Sequence, residues 1–76
     1  MHYVEKLNRN VNVFDKCPEN IRGEVLNNIN WARELIQRLE QLDYDVREEA
    51  IQKIHEVLDS DYEKMGYSLD SNEITR

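Results

Sequence analysis

A chain of 76 residues with a single cysteine folds as one small domain without an intramolecular disulfide. Its core can be only one thin layer, because a chain this short buries roughly 60% of the surface that its unfolded form exposes. Residues 1–39 carry six basic and five acidic side chains, whereas residues 40–76 carry four basic and eleven acidic ones, a distribution that repels phosphate and excludes nucleic acid as an expected direct ligand.

Residues 1–16 predict a short N-terminal helix. Apolar residues recur three and four positions apart from Val4 to Phe14, as they do along one face of a helix. The asparagines of this segment are poor helix formers, and the alternation in Val11-Asn12-Val13 is typical of a strand. The segment is therefore expected to be either a helix packed across the elements that follow it or an extended arm.

A long helix is predicted from residue 18 to residue 42. Pro18 suits a first helical position, where its missing N–H group would be unpaired in any case. Gly23 and the asparagines that follow it predict an irregularity near the glycine. Apolar residues recur through the segment at helical spacing, at Ile21, Val25, Ile29, Ala32, Leu35, Ile36, Leu39 and Leu42.

A second long helix is predicted from residue 46 to residue 65. Asp45 followed by Glu48 matches a capping box at its start, and Gly66 can adopt the left-handed conformation that ends helices. The connection between the two long helices is so short that they must lie side by side and antiparallel. The fold class is thus all-α, an antiparallel helical hairpin that the N-terminal segment completes as a three-helix unit, with residues 67–76 as a mobile polar tail.

Neither a catalytic site nor a metal site is expected. Cys17 lacks a base nearby in the sequence, and His55 with Asp59 predicts only a contact between positions i and i+4 of a helix. The acids from Asp59 onward partly match a calcium loop, but Lys64 occupies the sixth position, where such a loop requires glycine. We therefore expect no enzymatic activity, no metal and no cofactor.

The expected compartment is the cytoplasm. A lone unpaired cysteine and the lack of a secretory apolar region after Met1 both favour a reducing environment. No apolar run approaches the ~20 residues that cross a bilayer, so no contact with a membrane is expected.

A surface that binds another protein is the main functional expectation. Trp31 lies at the margin of the apolar stripe and Tyr44 lies near the turn, and large aromatic side chains at such margins often anchor a partner. The alternative for Trp31 is that it covers the N-terminal segment. The acidic half supplies the remaining residues that we expect to contact a partner: Glu48, Glu49, Glu56, Asp59, Asp61 and Glu63.

Residues 29–65 resemble the sporulation phosphorelay aspartyl-phosphate phosphatases of bacilli, which are small helical hairpins. The second helix of that family carries a Ser-Gln-x-Leu-Asp motif, and the corresponding residues here are His55-Glu56-Val57-Leu58-Asp59. The Leu-Asp pair matches and the Ser-Gln pair is replaced. The resemblance implies a modulator of a response regulator that acts by dephosphorylation and depends on Asp59.

Three functions follow from these observations. The favoured one is a small acidic regulatory or inhibitory protein that binds a partner with a basic surface and could mask a nucleic-acid-binding site. The second is a structural homodimer in which two hairpins form a four-helix bundle, with Asn28 setting the register. The third is the phosphatase-like modulator.

Overall fold

The computed structural model describes residues 1–69, and three helices account for most of them: α1 (Tyr3–Val13), α2 (Glu19–Arg38) and α3 (Tyr44–Lys64). Short 3₁₀ turns at Phe14–Lys16 and Leu39–Gln41 follow the first two helices. The described part of the chain contains no strand. The predicted all-α class with a three-helix unit is confirmed.

Helix α1 begins with a reciprocal cap at His2. The Val4 amide donates to His2 Nδ1 over 3.1 Å, and the His2 amide donates to Glu5 Oε1 over 3.0 Å. These bonds satisfy donors that a helix N-terminus leaves unpaired. The cap and the burial of Leu7 outweigh the low helix propensity of the asparagines, so the helical alternative is correct and the extended arm is wrong.

Helix α2 is continuous through Gly23, and the irregularity predicted there is wrong. A glycine in an exposed helical position costs only about 1 kcal/mol relative to alanine, which the packing of the same helix offsets. Pro18 lies just before the first helical residue, in extended conformation. The helix ends at Arg38, and the 3₁₀ turn continues the chain towards α3, so the predicted end at residue 42 is four residues too far.

Helix α3 begins at Tyr44, two residues earlier than predicted. Its N-cap is Asp43, whose side chain makes no capping hydrogen bond, so the predicted capping box at Asp45 is wrong. The predicted end is confirmed: Gly66 has φ of 101°. The Tyr67 amide donates to the Tyr62 carbonyl over 3.3 Å, which closes a Schellman turn around the glycine.

Helices α2 and α3 form the predicted antiparallel hairpin. Early α2 meets late α3, because Lys64 Nζ lies 3.1 Å from Glu24 Oε2. One turn further along α2, Asn28 Nδ2 donates to Asp61 Oδ2 over 2.9 Å. The residue numbers rise along one helix as they fall along the other, which establishes the antiparallel direction.

Helix α1 runs parallel to α3 and packs against both members of the hairpin. The ring of Tyr3 meets that of His55 edge to face, with centroids 6.2 Å apart. Two turns later the Arg9 guanidinium carbon lies 3.9 Å from the centroid of the Tyr62 ring. The three helices therefore form an up-down-up bundle.

The core is a single layer between the three helices. The Cα atoms extend over 36 × 34 × 15 Å, so the molecule is thin in one direction. The stripes of α2 and α3 face each other as predicted, and Val25, Ile54 and Leu58 are completely buried at their centre. Each such side chain contributes about 1.5–3 kcal/mol on leaving water. The buried apolar residues are Leu7, Cys17, Val25, Ile29, Ala32, Leu39, Ile54, Leu58 and Met65.

The segment after α3 begins with a packed residue. Tyr67 is half-buried and stacks on Tyr62, with ring centroids 4.9 Å apart and an interplanar angle of 15°. The segment predicted as a mobile polar tail thus begins with an aromatic ring that packs on α3, because such a ring gains more by covering the core than by remaining in water. Residues 70–76, the rest of the predicted tail, lie outside the described residues.

Candidate partner-binding surface

The outer side of α3 carries a line of exposed carboxylates. At 100° per residue, Ile54 and Leu58 mark the buried side of the helix, and the opposite side faces solvent. Five exposed acids lie there, spread over about 27 Å at 1.5 Å per residue. We name these five residues the acidic face: Asp45, Glu48, Glu49, Glu56 and Glu63.

Asp45 belongs to the acidic face although it was not among the predicted contact residues. The sequence assigned it to the helix cap, whereas it lies in the first turn of α3 with an exposed side chain. A carboxylate in a first turn also stabilises the helix dipole. None of the five acids forms an ion pair with another residue of 1–69. The acids that do form ion pairs in this part of the chain are Asp59, with Lys6 and Arg9, and Glu24, with Lys64.

Asp59 is removed from the predicted contact surface because it holds α1. Lys6 Nζ lies 2.7 Å from Asp59 Oδ2, and Arg9 Nη2 lies 3.2 Å from Asp59 Oδ1. Arg9 also donates to the Leu58 carbonyl, which accepts a second hydrogen bond of 2.9 Å from the buried side chain of Asn10. Two cations from α1 thus neutralise Asp59, and its role is to join helices.

Asp61 is also removed from that surface, because its side chain is buried. It is 1% exposed, and Asn28 Nδ2 donates to it across the hairpin. Burial disfavours the charged form and raises the pKa of the Asp61 carboxyl, while the hydrogen bond from Asn28 and the charge of Lys64 act in the opposite direction. Asn28 therefore makes its hydrogen bond within the chain. The homodimer hypothesis had used this side chain to set the register between two copies.

His55 lies against α1, and its interaction with Asp59 four residues further along α3 is electrostatic. No hydrogen bond or ion pair joins the two side chains, since Lys6 and Arg9 occupy the carboxylate. Burial lowers the pKa of the His55 imidazole, and the charge of Lys6 lowers it further. His55 Nδ1 is buried without a hydrogen-bond partner among residues 1–69.

Trp31 faces an open groove between α2 and α3. The groove has a volume of about 330 Å³ and is lined on its apolar part by Trp31, Leu35, Val46 and Ala50, with Glu49 and Lys53 at its edge. We name these six residues the Trp31 groove. Trp31 is 37% exposed and Val46 is 50% exposed. No residue of α1 lines the groove, so Trp31 faces this hollow and does not cover the N-terminal segment as the alternative proposed.

Tyr44 is the first residue of α3, and it does not line the Trp31 groove. It is 66% exposed, and the Arg47 guanidinium carbon lies 5.8 Å from its ring centroid. Sequence reasoning missed Val46, which it placed at the first position of the helix and outside the apolar stripe. The signal for Val46 was its spacing of four residues from Ala50, which places both side chains on one side of the helix.

The described residues hold no group of three histidine, cysteine, aspartate or glutamate side chains placed to bind a metal ion. Within residues 1–69 no helix combines the length and apolar character needed to cross a bilayer. Comparison with protein-family models, with curated proteins and with solved structures gave no match to this chain.

Proposed function

We propose that this chain is a small cytoplasmic regulatory or inhibitory protein that binds another protein, and that the acidic face engages a basic surface of that partner. The acidic face is the observation that supports the proposal. Asp59 and Asp61 use their charge or polarity inside the bundle, whereas the five acids of this face make no ion pair among the described residues. Carboxylates without an ion-pair partner on one side of a helix favour an external basic ligand.

The charge distribution suits a regulator that masks its partner. Helix α3 carries seven acidic and three basic side chains, and the cations of α1 compensate only Asp59. The resulting negative field accelerates encounter with a basic surface and repels nucleic acid. A partner that uses such a surface to hold nucleic acid would be unable to hold both ligands at once.

The two alternative functions have less support. The homodimer hypothesis used Asn28 as a register-setting residue, and this side chain makes its hydrogen bond within the chain. The phosphatase-like hypothesis used Asp59, whose two oxygens are both paired with cations of α1. Both hypotheses therefore use residues that already make contacts within the chain.

Capture from an extract of the native cell tests the proposal. The full chain serves as bait beside two variants that change the net charge equally: Glu49→Gln/Glu56→Gln on the acidic face, and Glu34→Gln/Glu40→Gln on exposed positions outside α3. We expect the wild type and Glu34→Gln/Glu40→Gln to retain a protein that Glu49→Gln/Glu56→Gln loses. Added salt should release that protein from the bait. A partner retained equally by both variants, or unchanged at high salt, would contradict the proposal.

The masking role has its own measurement. The captured protein, once purified, is mixed with a labelled nucleic acid that it binds, and the wild-type chain is titrated into the complex. Displacement of the nucleic acid by the wild type, and weaker displacement by Glu49→Gln/Glu56→Gln, is the expected result. Formation of a ternary complex would show that the two ligands occupy separate sites.

A further inference from the structure

We infer that the Trp31 groove is the seat for the apolar side of a basic amphipathic helix of the partner, whose lysines or arginines then reach the acidic face. This inference rests on the proposed function and specifies the partner's chemistry. It combines two surfaces that share a residue, since Glu49 belongs both to the groove edge and to the acidic face.

The groove has the composition of a seat for apolar side chains. Trp31 and Val46 are partly exposed on opposite walls, and Leu35 and Ala50 form the half-buried floor between them. A leucine or isoleucine placed between these walls would remove apolar surface of both partners from water. Tryptophan is the residue type most enriched among side chains that dominate binding energy.

The groove continues along the hairpin far enough to receive more than one turn of helix. A second hollow of about 250 Å³ lies between Glu24 of α2 and Lys64 of α3; Lys53 lines both hollows, and the lining of the second is polar except for Val57. From Val46 to Lys64 the wall formed by α3 is about 27 Å long at 1.5 Å per residue. In helix-in-groove recognition the apolar anchors of the bound helix would occupy the Trp31 groove, and its polar side chains would lie along the second hollow.

Charge complementarity selects a basic occupant. A helix seated between Trp31 and Val46 would lie beside Glu49, with Glu56 two turns further along the same wall. One cation, Lys53, lies at this edge between those two glutamates on the helix surface, so the edge still carries more negative than positive charge. A second copy of the chain would bring its own acidic face and a formal net charge of −6 to the contact.

Fluorescence of Trp31, the only tryptophan of the chain, reports directly on the groove. The probe is a short synthetic helix of leucine and lysine with leucines at helical spacing, and its control has serine in place of every leucine. We expect the leucine peptide to shift the emission of Trp31 to the blue and to protect it from acrylamide. The serine peptide should bind more weakly and leave the emission unchanged.

Two valine variants locate the contact. Val46→Ser removes an apolar wall of the groove, and Val4→Ser makes the same change at an exposed position of α1, where the wild-type valine is 38% exposed. We expect the first variant to weaken binding of the leucine peptide about tenfold and the second to leave it unchanged. Circular dichroism confirms that both variants remain folded.

The outcomes separate the groove from the acidic face. Equal affinities of the two valine variants, or emission that does not shift, would overturn the groove assignment. The acidic face fails independently if Glu49→Gln/Glu56→Gln binds the serine peptide as tightly as Glu34→Gln/Glu40→Gln does. A dimer in sedimentation experiments that Val46→Ser dissociates would also overturn the inference, since the groove would then hold a second copy.

Discussion

Replacing Asp59 with asparagine should loosen the contact between α1 and α3. The substitution keeps the size of the side chain and removes the charge that Lys6 and Arg9 share. Both cations then remain between the helices without a counterion. Removing one partner of a shielded ion pair costs more than the pair itself contributes, because the remaining charges stay partly desolvated.

The degree of shielding sets the expected loss of stability. The side chains of Lys6 and Arg9 are 15% and 16% exposed and that of Asp59 is 26% exposed, so the cluster is neither fully solvated nor fully buried. Exposed ion pairs contribute about 0–1 kcal/mol, and hydrogen bonds to charged groups contribute about 1.5–3 kcal/mol. We therefore expect a loss of about 2 kcal/mol.

Such a loss is large for this chain. At about 0.05–0.15 kcal/mol per residue, a chain of this length has a total free energy of unfolding of about 4–11 kcal/mol. The entropy of unfolding scales as about 2.1 cal/mol/K per residue, so a loss of about 2 kcal/mol corresponds to a fall in Tm of about 12 °C.

Urea unfolding followed by circular dichroism measures the effect. The matched control is Glu56→Gln, which removes an exposed, unpaired carboxylate from the same helix and should change stability by less than about 0.5 kcal/mol. A double-mutant cycle with Lys6→Met should give a coupling energy of about 1 kcal/mol. If Asp59→Asn and Glu56→Gln unfold at the same urea concentration, the cluster does not hold α1 in place.

Four further substitutions test the interior of the bundle and its two glycines. Ile54→Ala empties the centre of the core and should cost about 2–5 kcal/mol in urea unfolding, whereas a loss below about 1 kcal/mol would mean that the layer is not closely packed there. The raised pKa of Asp61 means that the native state binds its proton more tightly than the unfolded chain, so this group lowers stability as pH rises from its ordinary value of 3.8 through the raised pKa. Asp61→Asn should keep the hydrogen bond from Asn28, and its stability relative to the wild type should increase as pH rises over that interval. A difference in stability that does not change with pH would refute the raised pKa of Asp61. Gly66→Ala should destabilise the protein by about 1 kcal/mol, because Gly66 has φ of 101°. Gly23→Ala should stabilise it by a similar amount, because a Cβ atom at this helical position meets no neighbour within 4 Å. If both variants shift Tm in the same direction, the left-handed conformation of Gly66 or the helical conformation of Gly23 is wrong.

Periodicity was sufficient to predict the helices because each one must bury a stripe of apolar side chains. The start of α3 was less predictable, since Asp43 and Asp45 are both residues that favour a cap and the sequence does not distinguish them. For α1, the spacing of apolar residues and the propensity of the asparagines predicted different structures. Packing against the hairpin decided in favour of the spacing.

The acidic residues divide into classes that the sequence alone does not separate. Five acids of α3 face solvent, as their angular position opposite Ile54 and Leu58 would have predicted. Asp59 finds its partner Arg9 at a separation of 50 residues, and Asp61 finds Asn28 at a separation of 33. Such pairings depend on how the helices pack together, so they require the three-dimensional structure.

The salt dependence of partner binding tests the role of the acidic face most directly. The dissociation constant of the captured partner is measured over a series of salt concentrations for the wild type, Glu49→Gln/Glu56→Gln and Glu34→Gln/Glu40→Gln. We predict a shallower dependence on salt for the first variant and an unchanged one for the second. Identical salt dependence for all three proteins would mean that the partner binds elsewhere on the molecule.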